Sequence, residues 1–457
     1  MTANFISYIP GTSWPAIPDA VNSEILALLF QFEKIQYLPP EELLENQFQQ
    51  LYEIYRHCIE TVPFYRRSLK ASGLAKHKKI VPEQWLQVPL LSRSMVQQNH
   101  KDLQSSSIPR SHGTSTLTQT TGSTGPPVRV TGTQVTHFYW QANGLRDHFW
   151  HQRDFSGKMA VIRHADKGRA EYPGVSSGNW GAAVSKVLRT GPMVMLNSST
   201  DLSLQVQFLL QQDPDYLLSY PSNLEALAGY FIREGLQLKK LRGIRTLGEA
   251  LGSEVRTACR EAWGVPLADM YTAQEVGYIA LQCPENENIY HIQAENLYVE
   301  VVDEEGRPCR EGETGRVLVT TLHNFAMPLI RYEIGDYAEV GGACSCGRTL
   351  PVLAGILGRK RNMLILPNGE RKWPGLGMST WMKKLPIIRQ FQFVQKGMDR
   401  IEARLVTDRL LSDDETGFFI EVLQKNMGYP FTIDITYVEN ISRSKGGKFE
   451  DFVSEIA

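Results

Sequence analysis

Apolar residues recur at helical spacing near the start of the chain and in short runs further along. Residues 20–60 carry apolar positions every three or four residues, through ILALLFQF and LYEIYRHCI, which predicts helix. Similar spacing predicts helices over residues 201–211, 222–234 and 253–264. Ser253 is the predicted cap of the last of these. The apolar run KMAVI, from Lys158, predicts a buried strand, and the alternation of helices and strands predicts a layered α/β body.

The pattern changes after Gly358. Before it, residues 297–322 predict a hairpin made of LYVEVV, a DEEG turn and RVLVTTL. After it, QFQFVQ and IEARLV predict two strands, SDDETGFFIEVLQKNMG predicts a helix, and FTIDITYV predicts a third strand. Ser412 and Glu415 form a capping-box pattern at the helix start, and Gly428 stands at its end. We therefore predict two domains, 1–358 and 359–457, the second a compact α+β unit of common domain size.

Composition excludes several classes of protein. The chain has 457 residues, 42% hydrophobic and 21% charged, with a formal net charge of −1 and no long basic run, so no nucleic-acid partner is expected. No apolar stretch is long enough to span a bilayer, and the first residues do not read as a signal peptide, so no membrane partner is expected. Six cysteines in so long a chain do not make a disulfide framework. We expect a cytoplasmic protein.

The segment from Thr118 to Val130, TQTTGSTGPPVRV, concentrates hydroxyls and glycines. Glycine lets backbone amides approach an anion closely, and Ser and Thr hydroxyls donate to phosphate oxygens. The segment is not a Walker loop, because no Gly-Lys-Ser/Thr follows at the required spacing. A polyphosphate cradle and a flexible linker are both open at this point.

Four later segments carry residues that suit nucleotide chemistry. DMYTAQEVG holds Tyr271, which can stack on a base, and Glu275, which can hold Mg²⁺. PLIRYEIGD presents Asp336 to two ribose hydroxyls, Arg359 can pair with phosphate, and Lys448 can neutralise charge on a reacting oxygen. Taken singly, each has a plain alternative: a surface turn, a basic linker or a solvated lysine.

In this order the motifs resemble those of the adenylate-forming ligase superfamily. VPFYRRSL, VPLLSRS, YPSNLEALA, LGEALGSEVR and PLIRYEIGD narrow the resemblance to the phenylacetate–CoA ligase-like branch, which includes coenzyme F390 synthetase-like and capsule-biosynthesis-type ligases. It runs from about residue 50 to the C-terminus. The resemblance implies a large adenylation domain, a small mobile lid domain, and an acid–thiol ligase that forms acyl-AMP and pyrophosphate.

The resemblance also implies roles for individual residues. The phosphate loop would be Thr120, Thr121, Gly122, Ser123, Thr124 and Gly125. The nucleotide would further contact Gly248, Glu249, Ala250, Tyr271, Thr272, Gln274, Asp336 and Arg359. Glu275 would hold Mg²⁺, and Lys448 would contact the carboxylate and α-phosphate during adenylation.

Three positions depart from the family pattern. Pro126 stands where the phosphate loop usually has lysine, Gln274 replaces a threonine expected at the α-phosphate, and Arg361 stands where the hinge is often Asp. A hinge needs a residue that absorbs a backbone rotation, which Arg can do. The hinge departure keeps other acceptors open besides coenzyme A: a carrier-protein thiol, an amine or a hydroxyl. A zinc-stabilised nucleotide-binding protein without activity is the alternative of a different class.

Cysteines and a histidine predict a structural zinc site. Cys344 and Cys346 form a tight Cys-x-Cys, and Cys283 and His291 lie in CPENENIYH. Three thiolates and one imidazole make a common closed tetrahedral set. Related ligases in this branch carry similar sets. The alternatives are that Cys283 and His291 are unrelated core or loop residues, or that Cys344 and Cys346 form a disulfide, which one intervening residue would strain.

The sequence gives the least information about which residues line the acyl pocket. Candidate lining residues are Phe138, Tyr139, Trp140, Trp180 and the loop from Gly248, since aromatic side chains often form a slot for an aryl group. Most aromatics in such runs are core residues. The resemblance implies a small, aryl carboxylic acid as substrate, with ATP, Mg²⁺ and coenzyme A, and by analogy a homodimer.

Overall fold

A computed structural model describes residues 4–69, 74, 79–120, 127–441 and 449–456. The helices in these ranges are α1 (Ala20–Ile35), α2 (Pro40–Thr61), α3 (Pro63–Ser68), α4 (Pro82–Trp85), α5 (Arg93–Gln98), α6 (Gln134–Trp150), α7 (Leu202–Gln212), α8 (Pro221–Arg233), α9 (Ser253–Trp263), α10 (Met378–Lys384) and α11 (Asp413–Met427). None of them combines the length and hydropathy needed to cross a membrane.

The strands of the large domain are β1 (Asn4–Phe5), β2 (Ser115–Gln119), β3 (Arg129–Thr133), β4 (Met159–Arg163), β5 (Val175–Ser177), β6 (Leu188–Arg189), β7 (Met193–Asn197), β8 (Tyr216–Ser219), β9 (Gly243–Leu247), β10 (Leu267–Ala273), β11 (Gly277–Gln282), β12 (Tyr290–Ile292), β13 (Leu297–Val302), β14 (Thr314–Thr321), β15 (Tyr332–Val340) and β16 (Val352–Arg359). Beyond them lie β17 (Leu364–Ile365), β18 (Arg371–Lys372), β19 (Ile388–Gly397), β20 (Arg400–Thr407), β21 (Thr432–Tyr437) and β22 (Phe452–Ser454).

One long mixed sheet organises the large domain. Its order is β13-β14-β15-β16-β12-β11-β10-β9-β8-β4-β7-β5, with parallel pairing from β10 through β7 and antiparallel pairing on either side. Parallel strands covered on both faces are apolar throughout, and Met159–Ile162 is buried at every position. The predicted α/β fold, with a large sheet-rich domain and a small C-terminal domain, is confirmed.

The small domain has its own sheet and core. Its order is β21-β20-β19-β22, with β21 and β22 parallel to their neighbours and β19 antiparallel to β20. Trp381, Phe393 and Phe419 are buried between this sheet and its helices. The capping box of α11 is confirmed, because the Glu415 amide donates to Ser412 Oγ (3.2 Å) and the Ser412 amide donates back to the Glu415 carboxylate (2.9 Å).

Two local predictions need correction. Helix α9 begins at Ser253 itself, with Gly252 in the N-cap position, and the Ser253 hydroxyl donates to Glu254 (3.1 Å) instead of capping the helix. The helical region over residues 20–60 is two helices, because Pro39 and Pro40 cannot continue α1. The hairpin strands β13 and β14 are confirmed, although a longer connection than the DEEG turn joins them.

Candidate active site

Three residues predicted to bind the nucleotide lie close to one another on the long sheet. The Tyr271 hydroxyl, on β10, donates to Asp336 Oδ2 on β15 (2.9 Å). The antiparallel register sets Asp336 opposite Arg359 on β16, whose Nε lies 3.7 Å from Asp336 Oδ1. Burial, followed by the nearby Asp336 carboxylate, raises the pKa of Tyr271 well above its usual value, so this hydroxyl stays a donor. Asp336 is thus oriented from two sides.

Glu275 lies in the turn between β10 and β11 and is joined to the glycine-rich segment by an arginine. One guanidinium nitrogen of Arg93 is 3.1 Å from Glu275 Oε1, and another donates to Thr120 Oγ1 (3.3 Å). Arg93 is the first residue of α5, and a backbone bridge from Leu91 to Tyr332 fixes the segment before it. The VPLLSRS motif contains Arg93, but the sequence alone assigns it no role.

The ends of the glycine-rich segment are held together by a hairpin. Strands β2 and β3 pair antiparallel, and beyond them Thr120 and Val128 exchange two bonds: Thr120 N–H donates to Val128 O (2.9 Å), and Val128 N–H donates to Thr120 Oγ1 (2.9 Å). The predicted phosphate-loop residues Thr121, Gly122, Ser123, Thr124 and Gly125, together with Pro126 and Lys448, lie outside the described residues.

The predicted adenine segment follows β9 at the junction of the two domains. Gly248 adopts φ +81°, which favours glycine. The Glu249 carboxylate accepts from the backbone amides of Ser222 (3.0 Å) and Phe449 (2.7 Å). The Ala250 side chain would lie 3.6 Å from a Cβ placed on Gly358, so this segment runs beside the end of β16. Thr272 follows a bulge in β10, and Gln274 is exposed in the next turn.

The candidate acyl-pocket aromatics have different surroundings. Trp180 is buried among His148, Phe155 and Tyr216, and its indole donates to Gly157 O (2.9 Å), so the structure gives it the contacts of a core residue. The other candidates lie on α6: Tyr139 stacks on His323, and Trp140 is partly exposed, close to Tyr278 and to the position a Cβ would take on Gly277. Trp140 therefore stands beside the turn that carries Glu275.

Buried ion pairs fix α6 against the sheet. Asp147, on α6, contacts Arg245 on β9 (2.6 Å) and Arg153 after the helix (2.6 Å). Although burial alone would raise it, the two guanidiniums hold the pKa of Asp147 well below its usual value. Removing one member of such a buried set would leave an uncompensated charge. The position of α6 relative to the segment from Gly248 is thus strongly constrained.

The four predicted metal ligands come together. The ligand atoms of Cys283, His291, Cys344 and Cys346 all lie within 4.8 Å of one another. Cys283 Sγ is 3.7 Å from Cys344 Sγ, and Cys346 Sγ is 3.3 Å from His291 Nε2. Sulfurs on one tetrahedral zinc ion, at about 2.3 Å each, are separated by roughly 3.7 Å. Burial, helped by Arg348, lowers the pKa of His291 to about 4, which keeps the imidazole neutral as a ligand must be.

The chain is similar in sequence to one domain family and to known ligases. The CapK C-terminal domain family matches residues 370–455. The phenylacetate-coenzyme A ligase of Thermus thermophilus is 25% identical over 92% of this chain and 98% of its own length. The phenylacetate-coenzyme A ligase of Escherichia coli is 25% identical over 74% of this chain and 75% of its own.

A solved structure extends the likeness to the fold. The 2-hydroxyisobutyryl-CoA ligase, in its postadenylation state, is 19% identical, with a TM-score of 0.73 over 93% of this chain and 92% of that one. The predicted resemblance is confirmed: the curated relatives of this chain include phenylacetate–CoA ligases, which supports an acid–thiol ligase that forms AMP. The solved CoA ligase shows that the fold is shared.

A buried carboxyl near the domain junction makes stability depend on pH. Burial, followed by the charges of Asp451, Glu254 and Glu249, raises the pKa of Glu225 on α8 to about 8. Because the folded-state pKa exceeds the ordinary value of 4.5, Glu225 takes up a proton on folding. Its contribution to stability is therefore complete below about pH 4.5 and is lost as the pH rises through 8.

We predict that Glu225→Gln flattens this dependence. The neutral amide cannot ionise, so the variant should gain on the order of 2 kcal/mol relative to the wild type between pH 6 and pH 8. Thermal unfolding midpoints at the two pH values measure the effect. Glu261→Gln, at an exposed position of α9, is the control and should keep the wild-type dependence. Parallel curves for the wild type and Glu225→Gln would contradict the prediction.

Proposed function

We propose that this ligase activates a small aryl carboxylic acid with ATP and Mg²⁺ and transfers the acyl group to coenzyme A. The observation that carries the proposal is the convergence of two groups. Tyr271, Asp336 and Arg359 lie on β10, β15 and β16, and Arg93 links Glu275 to Thr120 at the start of the glycine-rich segment. The first group supports a nucleoside site and the second a phosphate and cation site, so together they outline a nucleoside triphosphate.

The proposed reaction has two steps. A carboxylate oxygen of the acid attacks the α-phosphorus of ATP, and pyrophosphate leaves. The thiolate of coenzyme A then attacks the acyl carbonyl, and AMP leaves. Asp336 would accept from the ribose hydroxyls, and Lys448 would offset the charge that develops on the reacting phosphate and carboxylate.

The surroundings of Glu275 fit a magnesium site. Its carboxylate lies near the Thr120 hydroxyl, and oxygen ligands of this kind, completed by phosphate and water, suit Mg²⁺. Mg²⁺ would screen the phosphate charge. In this proposal Arg93 holds the Glu275 carboxylate in place and presents its other guanidinium nitrogens toward the phosphates.

The aryl preference rests on α6 and on the relatives. Trp140 places aromatic surface next to the turn carrying Glu275, and Tyr139, the preceding residue of α6, stacks on His323. The sequence relatives are phenylacetate-coenzyme A ligases, and one structural neighbour with a TM-score of 0.54 is an anthranilate CoA ligase.

We also propose that Cys283, His291, Cys344 and Cys346 hold a structural zinc ion. The spacing of the sulfur and nitrogen atoms supports this set. Hydrogen bonds from Arg348 outweigh burial and lower the pKa of Cys346, whereas burial raises the pKa values of Cys283 and Cys344, so the proposal rests on the geometry of the four ligand atoms. Four protein ligands leave no position for substrate, so the ion would stabilise β12 and the loop after β15.

Lys448→Ala tests the adenylation step. Acid-dependent exchange of pyrophosphate into ATP should fall at least ~100-fold, because charge developing at the α-phosphate loses its cation, while nucleotide binding persists. The measurement is the exchange rate across a panel of aryl and aliphatic acids. Lys425→Ala, at an exposed position of α11, is the control and should retain exchange. A wild-type enzyme that is silent with every acid would refute adenylation. Acyl transfer to an amine but not to coenzyme A would refute the proposed acceptor.

Arg93→Gln tests the cation and phosphate site. Loss of the guanidinium frees Glu275 and removes a phosphate donor, so the KM for Mg-ATP should rise about tenfold or more. Initial rates at varied Mg-ATP, with the acid saturating, measure it. Arg56→Gln removes an exposed pair with Glu53 and should leave the KM unchanged. An unaltered KM in Arg93→Gln would show that Arg93 does not contribute to binding Mg-ATP.

Cys344→Ser tests the zinc proposal. Metal analysis of chelator-washed protein should give one zinc per wild-type chain and clearly less in the variant, whose melting temperature should fall by at least ~5 °C. Cys309→Ser, outside the four-residue cluster, should retain the metal. A wild-type protein that folds stably without stoichiometric zinc would contradict the proposal.

A further inference from the structure

The residues that follow Lys448 pair with the sheet of the small domain. Strand β22 runs parallel to β19, with Phe452 opposite Phe393, and Phe393 N–H donates to Asp451 O (2.8 Å). Phe452 is buried in the small-domain core. Gln392 adds a side-chain bond to Glu450 O (3.1 Å). Residues 450–452 are therefore bonded to the sheet and core of the small domain.

A second set of contacts ties the same segment to the start of the small domain. Arg361 donates from Nε to Glu450 Oε1 (2.9 Å) and from its terminal nitrogen to the other carboxylate oxygen. Asn362 Nδ2 donates to Phe452 O (2.7 Å). Both ends of these bonds lie beyond β16, so they persist if the small domain rotates as a body. The Arg361–Glu450 pair therefore joins the first residues of the small domain to its last strand.

Glu249 makes the corresponding contact from the large domain. Its Oε2 accepts from the amide of Ser222, the second residue of α8, where an amide has no partner within the helix and the helix dipole favours a negative charge. Tyr220, the N-cap residue, provides no side-chain bond there. One oxygen thus anchors the carboxylate to its own domain. The other oxygen accepts from Phe449 N–H (2.7 Å), in the residue that follows Lys448.

We infer that Glu249 is a positioning residue for adenylation: its carboxylate, bound to the start of α8, docks the amide of Phe449, the residue that follows Lys448 in the chain, against the large domain. The Arg361–Glu450 pair stiffens the segment that Glu249 docks. This inference rests on the proposed role of Lys448. Because the Glu249–Phe449 bond joins the two domains, any rotation of the small domain must break it. The bond therefore favours the arrangement for adenylation over the one for acyl transfer.

The kinetic test compares the two half-reactions in the full-length enzyme. Glu249→Ala should lower pyrophosphate exchange about tenfold or more, and should lower acyl transfer from chemically prepared acyl-AMP much less. Glu249→Gln keeps an oxygen acceptor and should recover part of the exchange rate. Glu450→Gln should shift the two half-reactions in the same direction as Glu249→Ala. Glu455→Gln, which removes a surface pair with Lys396 in the same terminal segment, is the matched control.

Amide hydrogen exchange tests the contact without substrates. The peptide covering residues 449–455 should exchange faster in Glu249→Ala than in the wild type, while a peptide from α11 is unchanged. If the wild-type protein shows no acid-dependent pyrophosphate exchange, the proposed function is wrong. The hydrogen-exchange rate of the peptide would still show whether the Glu249–Phe449 bond forms. Unchanged exchange in the peptide, or equal losses in both half-reactions without rescue by Gln, would overturn the positioning role.

Discussion

The register between β15 and β16 is the constraint on which the rest of the site depends. It places Asp336 opposite Arg359, and after Arg359 the chain leaves the long sheet for the small domain. A slip by one residue would turn Asp336 to the other face and part it from the Tyr271 hydroxyl. The same pairing that completes the sheet therefore aligns a carboxylate, a phenol and a guanidinium at the point where the two domains join.

Carboxylates with two partners recur through this molecule and link its elements. Asp336 joins β10 to β16, Glu275 faces the arginine that reaches Thr120, and Glu249 joins α8 to the terminal segment. Asp147 does the same for α6 and β9. The carboxylates of Asp336, Glu249 and Asp147 are each oriented by partners from more than one element. Such sets cost much to break singly, because the remaining charge is left without a partner.

Local patterns account for what could be predicted from the sequence. The capping box of α11 and the buried KMAVI strand depend on residues close in the chain, and the Cys/His set was recognisable from residue type. Arg93 and the Glu249–Phe449 bond were not predictable, because both depend on neighbours more than a hundred residues away. Strand β22 is only three residues long and carries no period. Trp180 makes the contacts of a core residue, and residue type alone does not distinguish a pocket position from a core position.

The contacts of Arg361 show what its side chain does at a position where the family pattern often has Asp. In the sequence, Arg361 stands where the hinge of the resembling family is often Asp, and this departure keeps other acyl acceptors open besides coenzyme A. In the structure its guanidinium is engaged by Glu450, on the same side of the hinge. Its side chain thus ties the first and last segments of the small domain together. Because both partners lie beyond β16, this ion pair does not itself bridge the two domains.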